Sequence, residues 1–181
     1  KDADDFSFNL HPSWPVSERF AKNNNISYSL INIHCSDWQK ECQGHDIIVW
    51  RPSSDPDSLY EEITKIYYLE KFLKIRCHPS FTEFWTYDDK IRLHYHLTAF
   101  DLPVIPTLIS FDEKECLRKI DSLEFPLISK SHIGSSSICV SKLNSKLEAR
   151  KHIRKVFSRG LDTGFPYFRQ KGYVFFQKFI A

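Results

Sequence analysis

Methionine is absent, glycine occurs only five times in 181 residues, and neither sign of charge prevails, since 25 lysines and arginines face 23 aspartates and glutamates. A formal charge of +2 gives no global field for a polyanion, which sets nucleic acid aside as a partner of the whole chain. No apolar run approaches the ~20 residues of a membrane-spanning helix, so no membrane partner is expected, and the acidic, polar start KDADDF is unlike a signal peptide. Internal repeats and long low-complexity tracts are missing, as are the Gly-x-Ser-x-Gly nucleophile elbow and the spacing of a Walker A loop. Five cysteines, an odd number at irregular spacing, argue against a disulfide framework and for a reducing, cytoplasmic setting. The scarcity of glycine and the stop at Ala181, inside the apolar run YVFFQKFIA, read as a piece cut from a longer chain.

What is present is a globular composition, 41% hydrophobic and 27% charged, with length for one large or two small domains. Residues 14–24 read as a helix, 26–33 (ISYSLINI) as an alternating strand, 36–45 as a short helix and 46–50 (DIIVW) as a buried strand. That alternation predicts a parallel α/β layer, with the loop 51–57 at the carboxyl end of a strand. Arg51 there either faces an anion or pairs with Asp55. Helical spacing runs through 59–73, and a short strand follows at 75–77.

Asp88 or Asp89 can cap a helix carrying Ile91, Leu93, Leu97 and Phe100, which Pro103 ends. Lys90 then sits in the first turn, where a cation is unfavourable unless something negative faces it: the neighbouring aspartates on one reading, a phosphate on the other. Residues 104–111 read as a strand crossing between two lobes at Pro106, and 112–122 as a helix with Leu117 and Ile120 inward. A basic helix over 142–157, capped by Asn144 or Ser145, packs through Leu147, Ile153, Val156 and Phe157; without interleaved aromatics its cations read as a solvated face rather than a nucleic-acid helix. Residues 173–180 form a last buried strand.

The chemistry gathers in 125–140, FPLISKSHIGSSSICV. A short strand ends in Lys130 and hands a cation to a loop of Gly134, Ser135, Ser136 and Ser137, whose N–H groups and hydroxyls suit phosphate oxygens. Taken alone this is equally a common Ser/Gly-rich turn. His34, Cys35, Cys42 and His45 fit no common zinc pattern, His94 and His96 cannot share a helix face, and no catalytic residue is assigned.

In order and spacing these pieces resemble the front part of ATP-grasp enzymes, nearest to RimK-like ligases, including those found with polysaccharide genes. The likeness rests on Tyr87, Asp88, Asp89 and Lys90 followed by LPVIPT, on FPLISK, on IGSSSICV and on FFQKFI. It implies a preATP-grasp α/β domain over 1–104 and the first, α+β, ATP-grasp subdomain over 105–181, truncated at the hinge. Carried over by position, Lys90 and Lys130 would contact ATP phosphates, and Ser135, Ser136 and Ser137 would cover them. Gln177, Lys178, Phe179 and Ile180 would offer backbone groups to adenine. His132 and Ile133 depart from the glycines usual in such loops, and Lys178 stands where a glutamate is usual. The family's Mg²⁺ ligands come after the hinge, so no metal ligand is assigned in this chain. The implied activity is ATP-dependent ligation of a small-molecule carboxylate to an amine through an acyl-phosphate. The exposed face of the Lys130 strand would favour self-association. A rival reading is a nucleotide-binding or interaction module that keeps the fold without the chemistry.

Overall fold

The computed structural model describes residues 14–51, 56–87, 89–134, 137, 139–165 and 167–180. The chain divides into two compact units, Lys1–Trp85 and Thr86–Ala181. The first contains α1 (Trp14–Asn23), α2 (Trp38–Cys42), β1 (Ile47–Val49), α3 (Pro56–Tyr68) running into a π-helical turn at Leu69–Leu73, and β2 (Arg76–His78), with α4 (Phe81–Thr86) at its end. Strands β1 and β2 pair in parallel, Ile48 opposite Cys77. Ile33, Trp38, Cys42, Ile48, Leu69 and Ile75 form the core. The Lys65 ammonium lies 5.2 Å from the Trp38 ring centroid and donates to the Ile33 carbonyl and to Glu61.

Two expectations change here. Residues 26–33 form no strand: Ile26, Tyr28 and Leu30 are exposed, and of the alternating apolar set only Ile33 is buried and Ile31 partly so. Without a partner ladder, an alternating pattern has nothing to pair with and stays irregular. The run 46–50 is a parallel strand, but Ile47 and Val49 are exposed on one face, so it is not buried on both.

The second unit contains α5 (Lys90–Ala99), β3 (Thr107–Ser110), α6 (Glu113–Lys119), β4 (Leu127–Ser129), β5 (Ser141–Leu143), α7 (Lys146–Phe157), β6 (Leu161–Asp162), β7 (Arg169–Gln170) and β8 (Val174–Lys178). Four strands make an antiparallel sheet in the order β3-β8-β4-β5, so the last strand in sequence is a central one. On one face Cys116, Ile120, Ala149 and Ile153, from α6, the turn that follows it and α7, pack on Leu127, Leu143, Val174 and Phe176. On the other, Ile91 of α5 joins Ile109, Tyr173 and Phe175.

Helix starts obey the capping chemistry. Asp89 Oδ1 accepts the Ile91 and Arg92 amides at 3.0 and 2.9 Å, Asp112 Oδ1 the Glu115 amide at 3.0 Å, and Ser145 Oγ the Glu148 amide at 3.3 Å. Each such cap contributes about 1 kcal/mol. After α7 the chain reverses at Gly160, whose φ of +76° suits glycine, and a Cβ there would stand 3.0 Å from the Gln170 carbonyl oxygen. Leu93, Phe100 and Leu147, expected to pack, are exposed. The strand β5 takes 141–143, so α7 starts at Lys146, after Ser145.

Candidate functional site

Directly paired residues of a sheet share a face, and neighbours along a strand alternate. The pairs Thr107 with Gln177, Ile109 with Phe175 and Ile128 with Gln177 therefore turn these side chains away from α6 and α7. Lys130 continues that alternation two residues past Ile128, and its amide donates to the Phe175 carbonyl at 3.1 Å. Its ammonium donates to Gln177 Oε1 at 2.6 Å, while Gln177 Nε2 donates to Thr107 Oγ1 at 3.3 Å. A row of three polar side chains thus crosses the sheet. Among the described residues Lys130 has no carboxylate partner, so its charge is solvated by an amide and not neutralised.

Lys90 reaches the same stretch of chain from α5. Its amide donates to the His132 carbonyl at 2.9 Å and its ammonium to the Gly134 carbonyl at 2.7 Å. Asp89, read as one of its candidate partners, instead caps α5 and pairs with Arg92 Nε at 3.2 Å. Both lysines are therefore bound to the segment 130–134 or its neighbour on β8. Ser135 and Ser136 lie outside the described residues, as do Asp88 and Asp55; Ser137 is exposed with φ +63°. Gln177 is half-buried. Lys178 donates its amide to the Pro106 carbonyl at 2.9 Å and turns its ammonium to Glu124 at 2.8 Å in an exposed pair. The Phe179 ring lies 4.1 Å from the Lys142 ammonium, and Ile180 is exposed.

Several groups beneath this row were not singled out from sequence. Gln170, fully buried, donates from Nε2 to the Lys130 carbonyl at 3.3 Å. Tyr173 binds Ser131 and His132 through its hydroxyl, and a cleft of about 210 Å³ lined by Asp89, Ile91, Arg92, Phe111, His132 and Tyr173 opens beside it. Ser129 Oγ lies 2.8 Å from His152 Nε2 on the α7 side. Apart from Ser129, which lies within FPLISK, none is part of a motif; each is identified only by its neighbour across the fold.

Burial pushes the His152 imidazole down to about 4 from an ordinary value of 6.5, with the Lys155 charge adding to the fall. The unfolded chain then takes up a proton at His152 between pH ~6.5 and ~4 that the folded chain does not. Stability should therefore fall as pH drops through that window, by up to about 3 kcal/mol before allowance for partial solvent access. Urea unfolding at a series of pH values checks this, and His152→Gln should flatten the slope. A slope unchanged in the variant would assign the acid sensitivity elsewhere.

The His34, Cys35, Cys42 and His45 group is resolved into separate contacts. His34 Nδ1 pairs with Glu61 at 2.9 Å, His45 Nε2 with Ser29 at 3.1 Å, and Cys42 is buried with its thiol pushed up by desolvation. Among the described residues no group of three or more His, Cys, Asp or Glu side chains is placed to hold a metal ion.

No protein-family model matches the sequence, and no curated protein matches it. Solved structures do share the fold. A RimK-domain ATP-grasp protein from Sphaerobacter thermophilus superposes with a TM-score of 0.59 at 12% identity, over 97% of this chain and 62% of that one. N5-carboxyaminoimidazole ribonucleotide synthetase from Thermus thermophilus gives 0.56 at 9% identity, over 93% and 42%. An ADP complex of a synthetase of that name gives 0.53 at 14% identity, over 86% and 35%. The chain thus has the fold of part of these ATP-grasp structures, with a parallel α/β unit followed by an α+β unit, and it spans less than two thirds of each of these relatives.

Proposed function

We propose that this chain is the nucleotide-receiving front part of an ATP-dependent carboxylate–amine ligase. Residues 1–104 serve as its preATP-grasp domain and 105–181 as its first ATP-grasp subdomain. Lys90 and Lys130 receive the ATP phosphates, Ser135, Ser136 and Ser137 cover them, and the backbone of 177–180 meets the adenine edge. The observation that carries this reading is the placing of Lys130. Its ammonium stands on the sheet face opposite α6 and α7, held by the neutral amide of Gln177, one strand from the residues that would meet the base. A charge held by neutral acceptors keeps its attraction for phosphate, which a carboxylate partner would cancel.

In the reaction, an oxygen of the substrate carboxylate attacks the γ-phosphorus, ADP leaves, and the amine then displaces phosphate from the acyl carbon. Mg²⁺ would neutralise the transferring phosphoryl group. The residues described here supply positioning and charge, and no step is assigned to a metal ligand among them. One observation favours the second reading, a nucleotide-binding or interaction module without ligation: Lys178, in the place of the usual glutamate, turns to Glu124 at the surface.

The test is a titration of ¹⁵N-labelled chain with ATP, followed by NMR. In the resembling fold nucleotide lies between two subdomains, so binding by residues 1–181 should be weak and independent of magnesium, without ATP hydrolysis when carboxylate and amine are added. Amide shifts at Lys90, 130–134 and 177–180 are the expected outcome. Shifts confined to 1–85, or none, overturn the reading.

A further inference from the structure

The segment that leaves β4 is tied down residue by residue. Ser131 and Ile133 are buried, at 1% and 7% exposure. The Tyr173 hydroxyl, itself on a 5% exposed residue, stands 3.1 Å from the His132 amide nitrogen, 2.5 Å from His132 Nδ1 and 3.4 Å from Ser131 Oγ. Its ring is fixed independently, by Phe111 at 5.6 Å between centroids and by the cluster of Ile91 and Phe175.

Proton accounting gives this contact a direction. The His132 N–H can only donate, so the tyrosine oxygen accepts it, and the imidazole Nδ1 and the Ser131 hydroxyl complete the partners of that oxygen. The charged groups that act on the imidazole are Asp89, Lys90 and Arg92 of the α5 start; burial holds the imidazole below its ordinary range, and Asp89 opposes this. The carbonyl of the same His132 accepts the Lys90 amide, and the Lys90 ammonium binds Gly134 two residues on. One tyrosine hydroxyl thus holds His132, whose carbonyl in turn ties the end of the Lys130 strand to the start of α5.

We propose that Tyr173 is a positioning residue of the nucleotide site: through His132 it sets the distance between the Lys90 and Lys130 ammonium groups while touching neither. The inference rests on the reading that these two lysines receive phosphate. It also gives a role to His132, which stands where loops of the resembling family carry glycine. A glycine has no imidazole to hold, whereas here the histidine supplies both an amide and a ring nitrogen to the same hydroxyl.

Tyr173→Phe keeps the ring and removes the oxygen. In the full ¹⁵N-labelled chain, hydrogen exchange at the His132 amide should accelerate by about tenfold or more, and the His132 Nδ1 resonance should shift as its hydrogen-bond partner is lost. The ATP dissociation constant should rise about three- to tenfold, the range of one neutral hydrogen bond. In a His132→Ala background, which keeps the amide donor and removes only the imidazole, the same change should have a smaller effect on ATP than in the unmodified chain, because the hydroxyl acts through His132; a purely structural tyrosine would give additive losses. Unchanged ATP affinity in Tyr173→Phe overturns the proposal, whether or not exchange accelerates, and so does additivity. If the unmodified chain shows no response to ATP, the nucleotide reading falls and this proposal with it, which separates the two failures.

Discussion

Replacing Lys130 with alanine is expected to weaken ATP binding by about ten- to a hundredfold, the range of one charge-assisted hydrogen bond to an anion. The change should act on the ligand and spare the fold. What holds residue 130 in place is backbone: its amide on Phe175 and its carbonyl on Gln170, both of which survive the loss of the side chain. Only the Gln177 amide loses a partner, and it keeps Thr107. Ser136→Ala removes a neutral hydroxyl from a loop that also offers backbone N–H groups, so it should cost no more than a few-fold. The same NMR titration measures both, with an unfolding midpoint for each as the control. Equal losses in the two variants would show that Lys130 is not a phosphate ligand.

Phe176→Ala should destabilise the second unit by about 3–5 kcal/mol, the range for emptying a buried aromatic site. Phe176 is 1% exposed on the central strand β8, in the cluster with Ile120, Leu127 and Ile153, and its ring lies 5.6 Å from His152. Strands β3 and β4 pair with β8 on its two sides, so the cavity would open where neither flank can collapse without breaking a ladder. A loss of that size is a large share of the ~5–15 kcal/mol that holds a domain together. All four tryptophans fall within Lys1–Trp85, so tryptophan emission follows the first unit. Urea unfolding read at the β8 amide resonances is the appropriate measurement for the second. A shift below about 1 kcal/mol would mean that the sheet repacks around the gap.

Local chemistry made much of the second unit legible. Asp112 and Ser145 cap helices as their residue types suggest, and Asp89 does so between the two candidates read at that point. The strand before Lys130 and the strand 173–180 are both present, the latter as Val174–Lys178. Legibility fell where burial depends on what lies opposite. Residues 26–33 have the alternation of a strand but no ladder to join, and Leu93, Phe100 and Leu147 have helical spacing but face solvent. The two cations of the candidate site were readable as residue types at a strand end and a helix start. Their partners were not, because Gln177 is 47 residues from Lys130 and Gly134 is 44 from Lys90.

Composition and spacing by themselves determined that this is a globular α/β chain without a long apolar helix, and that a lysine, a small-residue loop and a closing apolar strand follow one another in an order resembling ATP-grasp enzymes. Only the tertiary structure decided that the closing strand enters the middle of the sheet and that Lys130 and Gln177 share its open face. It also decided that Tyr173 holds the root of the loop. The physical reason is range: capping and turn chemistry act over a few residues and are written into neighbouring positions. Which side chain meets a given hydroxyl or ammonium depends on sheet register and on alternation across strands, and these arise only when segments distant in sequence are paired.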